Sequence, residues 1–298
     1  MKVGINGAVR DISDLKVGVS GAVRAVSEAY IGVAGATKKV WPNKKALNDC
    51  TWDEISEISS SGKAASMFKV GDRKEIVLNG TMSKLTFSDY HTYAFIIGFD
   101  HNASREGSNR IHFQLAKTAL SGGKDIGFVS GYNNHSDFYM NTSDTNSGGW
   151  EDSYMRNNIL GTSKTSYSGK FIGVLPSALR NVLKSVTKYT DNTGNSSTSL
   201  SAVTATTDYA FLLSEYEVFG SCIYANSNEA SRQQQYAYYS AGNSKVKYRH
   251  NSTGRLVTWW LRSPYRSGST FFVYVDGNGD AGLNFASSSC GVAPCFCV

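Results

Sequence analysis

The first 43 residues carry the same pattern three times, and this constrains the chain more than any other feature. Residues 2–15 read KVGINGAVRDISDL, residues 16–29 KVGVSGAVRAVSEA and residues 30–43 YIGVAGATKKVWPN. The period is about 14 residues. Each copy has a short apolar strand, a pair of small residues and a second, alternating strand. The pairs are Asn6-Gly7, Ser20-Gly21 and Ala34-Gly35. Asn-Gly is the strongest short hairpin signal, because both residues tolerate positive φ. A single two-stranded hairpin cannot bury its apolar face. Stacked hairpins, or three chains side by side, can. The repeat is therefore expected to be an attachment or oligomerising stem, with three strands added to a main sheet as the alternative. Trp41-Pro42 closes it, and Asn43-Lys44-Lys45 reads as a linker. Two domains follow: 1–43 and 44–298.

Beyond the linker, helical and strand signals mix. Thr51 and Glu54 form a capping box ahead of Trp52, Ile55 and Ile58, which share one helical face. Lys74 to Leu78 and the apolar run Tyr93 to Phe99 read as strands. Helices are expected from Gly149 to Leu160 and from Pro176, with Leu179, Val182, Leu183 and Val186 at helical spacing. Asp208 to Leu213 reads as a strand, and Ser214 to Phe219 as a short helical turn. Residues 191–207 read as a mobile polar loop. No Pro-rich linker divides this stretch, so one α+β domain of roughly 250 residues is expected.

Only 18% of the residues are charged, while Gly (29) and Tyr (17) are plentiful. Such surfaces suit adaptable hydrogen bonding and aromatic contact, the chemistry of binding loops. The net charge is +6, but the basic residues are scattered, which argues against nucleic acid. The five cysteines are an odd number, and Cys295 and Cys297 have a poor zinc spacing. Free thiols are expected. The start of the chain lacks a signal peptide's apolar core, and no segment approaches the roughly 18 apolar residues of a membrane span. Synthesis in the cytoplasm, with no membrane insertion, is the expectation.

Motifs for chemistry are sparse. His91, His101, His112, His135 and His250 form no HExxH or His-x-His pattern. Asp100-His101-Asn102 reads as a loop capping its own backbone. No G-x-S-x-G elbow or P-loop is present. Asp276-Gly277-Asn278-Gly279-Asp280 resembles half a calcium loop, but the twelfth position is Ser287, so a β-turn is preferred. Glu215 and Glu217 read as helix-capping residues. No catalytic residue, metal site or cofactor is expected, and the chain is not read as an enzyme.

The C-terminus is the informative end. Trp259-Trp260-Leu261-Arg262-Ser263-Pro264 opens it and Gly291-Val292-Ala293-Pro294 closes it, with Phe272, Val275, Gly279 and Ala286 between. This region, about 259–298, resembles the variable region of diversity-generating retroelement proteins. Trp52-Asp53-Glu54-Ile55, Gly149-Trp150 with Met155-Arg156, Leu175-Pro176 and Leu212-Leu213-Ser214 with Val218-Phe219-Gly220 are similar to the phage and gut-bacterial members. The first repeats also resemble those that open tail-fibre-like proteins of gut phages. The resemblance implies a C-type-lectin-like domain on a repeated β-hairpin stem, with its last strands and loops as the ligand face. The genetic code offers a check. These retroelements randomise adenines, mostly in Asn codons, and changing the first two bases of AAC or AAT cannot give Lys, Gln, Glu, Met or Trp. Those five make up about one residue in seven of the chain, yet none occurs from Tyr265 to Cys290.

Trp259, Trp260, Leu261, Phe272, Val275 and Val292 are expected in the core, with Gly279 and Gly291 at turns and Arg262 and Pro294 fixing the loops. The outward, ligand-binding set is Tyr265, Arg266, Ser267, Ser269, Phe271, Tyr274, Asp276, Asn278, Asp280, Leu283, Asn284, Phe285, Ser288 and Cys290. Tyr265, Phe271, Tyr274 and Phe285 offer rigid aromatic area, and Arg266 a hot spot. The function expected is that of a receptor-binding adhesin at a phage tail-fibre tip. Its partners would be a bacterial cell-surface protein or glycan and, through the stem, a tail or baseplate protein. It would act as a homotrimer located in the virion. The alternatives are a relative of the formylglycine-generating oxidases, for which Cys295 and Cys297 are the only close cysteine pair, or a structural fibre tip that binds nothing.

Overall fold

A computed structural model of the chain describes all residues except 1, 6–7, 12–14, 27–28, 42–44 and 131–137. The Asn6-Gly7 turn, Pro42, most of the 43–45 linker and His135 lie outside them. The chain divides into two units, residues 1–46 and 47–298.

The first unit consists of three antiparallel hairpins: Lys2–Ile5 with Ala8–Asp11, Lys16–Val19 with Ala22–Ala25, and Ala29–Val33 with Ala36–Trp41. Corresponding positions pair alike, Val3 with Arg10, Val17 with Arg24 and Ile31 with Lys38, so the sequence repeat is also a structural one. Ser20-Gly21 and Ala34-Gly35 make the turns with φ positive at both positions, as a two-residue type I′ hairpin loop requires. The apolar residues stay uncovered: Val17, Val19, Val23, Ile31 and Val33 are all exposed.

The second unit is a mixed α+β domain. Thr51 caps the helix Trp52–Ser60, with the reciprocal Thr51–Glu54 bonds of a capping box. Its Trp52 and Ile55 are buried. Beside it lies a five-stranded antiparallel sheet in the order Ala210–Phe211, Cys295–Cys297, Ile111–Lys117, Leu85–Phe99, Arg73–Met82. The last strand of the chain thus sits inside the sheet, and Val298 is wholly buried. The strand Ile111–Lys117 is covered on both faces: apolar Ile111, Phe113 and Leu115 alternate with polar His112 and Gln114, yet every residue is buried. A second sheet holds Trp259–Pro264, Phe271–Val275 and Ala281–Phe285, antiparallel throughout.

Four expectations are corrected. The helix expected from Gly149 begins only at Met155 and is a π-helix, Met155–Leu160, closed by the i→i+5 bond from Gly161 N to Arg156 O. The helix after Pro176 covers only Ser177–Val182. Val186 opens the strand Val186–Asp191, because its β-branched neighbours pair with Val203–Asp208 in a hairpin. That hairpin takes up both ends of the stretch read as a mobile loop, and it also shifts the strand expected at Asp208, leaving only Ala210–Phe211 beyond it.

Candidate ligand-binding face

The second sheet carries the residues expected to bind. Side chains alternate across a strand, and directly paired residues share a face. Phe271 pairs with Phe285 and Val273 with Leu283, which defines one face. Phe272 pairs with Asn284 and Tyr274 with Gly282, which defines the other. Phe272 is fully buried and Phe271 is not, which resolves the pair that alternation in the sequence leaves open. Trp259, Trp260, Leu261, Val275 and Val292 are also fully buried, as expected.

The expected binding residues therefore do not form one surface. Tyr265, Arg266, Ser267 and Ser269 lie on the loop entering the central strand, and Asp276, Asn278 and Asp280 on the turn leaving it. The five-residue strand Phe271–Val275 separates them, a rise of about 17 Å. Asp276 Oδ1 accepts the backbone N–H groups of Asn278 and Asp280, so this turn is capped by its own side chain, the β-turn reading. Leu283 and Phe285 share the face of Phe271, while Tyr274 and Asn284 occupy the opposite one. Ser288 follows in a turn, half-buried. Cys290 is a correction: it was expected to point outward and is buried. The chain folds back after Ala286, so that Cys290 N bonds to Phe138 O and its sulfur accepts from Asn284 Nδ2. Gly291 serves close approach rather than a turn, since a Cβ there would lie 2.6 Å from Val257 Cγ2.

One aromatic patch does assemble. Phe271 and Phe285 lie 4.5 Å apart between ring centroids, Tyr265 meets Phe271 edge-on at 6.1 Å, and Tyr224 meets Tyr265 edge-on at 6.3 Å. Phe285 is 45% exposed and Ile223, next to Tyr224, is 54% exposed. Tyr224 and Ile223 precede the region that sequence reasoning marked. Only the chain path brings them in, through the bond from Arg266 N to Tyr224 O.

The patch stands on a fastened base. Asn146 is fully buried, and its Nδ2 donates to the carbonyls of Gly268 (2.8 Å) and Phe271 (3.0 Å), while its own N–H reaches Ser269 O. Glu215 is also fully buried, and its carboxylate accepts the N–H groups of Tyr224 and Ala225. Burial pushes its pKa above the usual carboxylate range, and those bonds offset part of the shift. Arg262 lies wholly inside. It donates to both oxygens of Glu217, to Thr190 Oγ1 (2.6 Å) and to Leu212 O (2.8 Å). Its neighbour Ser263 donates to Glu229 (2.8 Å).

These bonds belong to a buried ionic centre. Lys188, with no exposure, donates to Glu106 (2.6 Å), Glu217 (2.9 Å) and the Tyr236 hydroxyl (2.7 Å). Burial opposes charge on Glu217, but Arg262 and Lys188 outweigh it and hold that carboxyl well below the usual range. Burial raises Glu106 and Glu229 to about 7 each. His101 stacks on Tyr236 at 3.6 Å, and burial together with Lys188 lowers its pKa to about 3. His112 shares the centre through Tyr236, and burial together with Lys188 also holds its pKa well below the usual value. His101, Glu106 and Glu217 bring ligand-type atoms within 4.8 Å of one another. Lys188 and Arg262 already occupy both carboxylates, so the chemistry of the group is that of a closed ion-pair centre. Glu217 does complete a capping box with Ser214, as a helix-capping reading implies, but its larger part is in this centre. His101 was read as a loop residue and belongs there too. Cys295 and Cys297 are fully buried, and burial pushes the Cys297 thiol up to about 12. All five cysteines are free thiols.

A family model described as a domain of unknown function, DUF6273, matches residues 129–298. No curated protein and no solved structure matches the chain.

Proposed function

The chain belongs to the DUF6273 family, and on that premise we propose that it is a receptor-binding protein without catalytic activity, displaying a variable ligand face on a C-type-lectin-like domain. The observation that carries this reading is the patch of Tyr224, Tyr265, Phe271 and Phe285, partly open to solvent, whose segments are fastened from beneath by buried Asn146 and Glu215. A rigid aromatic surface loses little entropy on binding, and exposed aromatics next to an arginine are what binding hot spots are made of. The scaffold residues of the last strands are buried, while the interleaved ones apart from Cys290 are partly or fully exposed. This division suits a region that varies by design, as in the variable proteins of diversity-generating retroelements.

In this reading the partner is a bacterial surface protein or glycan. The repeated hairpins form the attachment stem at a phage tail-fibre tip, where they hold three copies together and dock to a tail or baseplate protein. The chain works in the virion after synthesis in the bacterial cytoplasm. Display of three faces adds avidity of about 10²–10⁴ to weak single sites. The test is staining of a panel of gut bacterial cells with the labelled chain, beside a folded Tyr265→Ala/Phe285→Ala variant. Staining of some strains by the parent, reduced at least tenfold in the variant, is the expected result. Equal staining by both overturns the assignment of the face.

A further inference from the structure

Beside the aromatic patch, the 141–147 loop and the wide turn of Met155–Leu160 enclose a depression of about 300 Å³. Its lining has no aliphatic and no basic residue. It offers the carboxylate of Asp152, the carboxamide of Asn158, the hydroxyls of Thr142 and Ser143, and the ring of Tyr154. None of these five side chains makes a hydrogen bond among the described residues, whereas Asn146, a few residues away, spends its amide on loop carbonyls. A π-turn is rare, and it is found frequently at functional sites. Here it places Asn158 on the wall of the depression, with Tyr154 just before its first residue. Backbone bonds from Asn141 to Ala286 and from Asn146 to Ser269 tie the loop to the binding face.

We propose that this depression is a saccharide subsite that takes one neutral sugar ring. Carboxylate, carboxamide and hydroxyl groups together match the adjacent donors and acceptors of vicinal hydroxyls, and a tyrosine face covers the apolar C–H side of a pyranose. The lack of basic residues disfavours anionic groups, and the lack of aliphatic ones disfavours lipid or apolar peptide side chains. The subsite rests on the receptor-binding reading only in that the sugar belongs to a larger surface ligand.

Saturation-transfer difference NMR on the full chain, with glucose, galactose, mannose, N-acetylglucosamine and rhamnose as separate probes, tests it directly. At least one sugar is expected to receive saturation. That signal should fall at least fivefold in Asp152→Asn/Asn158→Ala, with the near-ultraviolet circular dichroism unchanged. It should persist in Tyr265→Ala/Phe285→Ala. No transfer to any of the five sugars overturns the subsite, as does undiminished transfer in the Asp152→Asn/Asn158→Ala variant. Binding of n-butylamine in place of sugars also overturns it, by making the depression a cation site. Sugar binding that persists while cell staining ignores the aromatic double variant keeps the subsite and removes the aromatic face.

Discussion

Arg262 shows how one residue can connect core and surface. It sits in the strand that leads to the loop of residues 265–270, and its guanidinium holds Glu217 from inside the domain. Removing one partner of a buried pair strands the other charge. Arg262→Ala should therefore cost about 3–5 kcal/mol, read from the urea midpoint, and should weaken cell binding even though Arg262 touches no ligand. The histidines of the same centre set its response to acid. His101, lowered to about 3, stays neutral in the folded chain while the unfolded chain takes a proton below about 6.5, so stability falls with pH across that window. Glu106 and Glu229, raised to about 7, work the other way. The folded chain binds their protons more tightly, so they gain stability as pH falls from 7 toward the unfolded carboxyl range near 4.5. Below that range their compensation is complete, while His101 continues to lose and Glu217, held low, loses as well. Urea midpoints measured from pH 8 to 3 should change little down to about 4.5 and drop steeply beneath it. A midpoint that keeps rising below that pH would contradict the assignment.

At the scale of elements, two local devices have separable consequences. Thr51 caps its helix through the capping box, and Thr51→Ala should lower stability by about 1 kcal/mol while leaving ligand binding intact. Asn146 acts differently, because its amide fastens the loop before Phe271 instead of an element of its own. Asn146→Ala leaves the carbonyls of Gly268 and Phe271 without that donor. Hydrogen exchange should quicken for the amides of residues 265–271, and binding should weaken more than the global stability does. Thr51 was legible in sequence because a capping box spans only four residues. Asn146 was not, since its partners lie more than a hundred positions away. The π-helix was hidden for a related reason: the pattern Met155, Ile159, Leu160 suits an α-helix equally well, and the extra residue per turn follows from what packs around it.

The whole molecule comprises two units of unequal character. The domain of residues 47–298 has its own core, with the chain's last strand between two others of its main sheet. The hairpins of residues 1–46 leave valines and isoleucine exposed, and isolated two-stranded hairpins are at best marginal in water. Deletion of residues 1–46 should leave a domain that melts cooperatively within a few degrees of the parent. Sedimentation should give a trimer for the full chain and a monomer for the truncated one. A monomeric full chain would remove the oligomerising role assigned to the repeat.

Sequence alone determined what depends on near neighbours. It marked the hairpin turns, the Thr51 capping box, the Asp276 turn and the buried aromatic residues of the C-terminal strands. Each of these is encoded within a few positions by φ preference, side-chain reach or alternation. It also identified most of the residues that surround the aromatic patch. Tertiary structure alone decided which of them meet. Pairing across the sheet put Tyr274 and Asn284 on the face opposite Phe271 and Phe285, and the return of the chain buried Cys290. It also collected Glu106, Lys188, Glu217 and Arg262 into one centre. Charges that find each other only after the chain has folded leave no periodicity behind, because nothing local constrains residues that far apart.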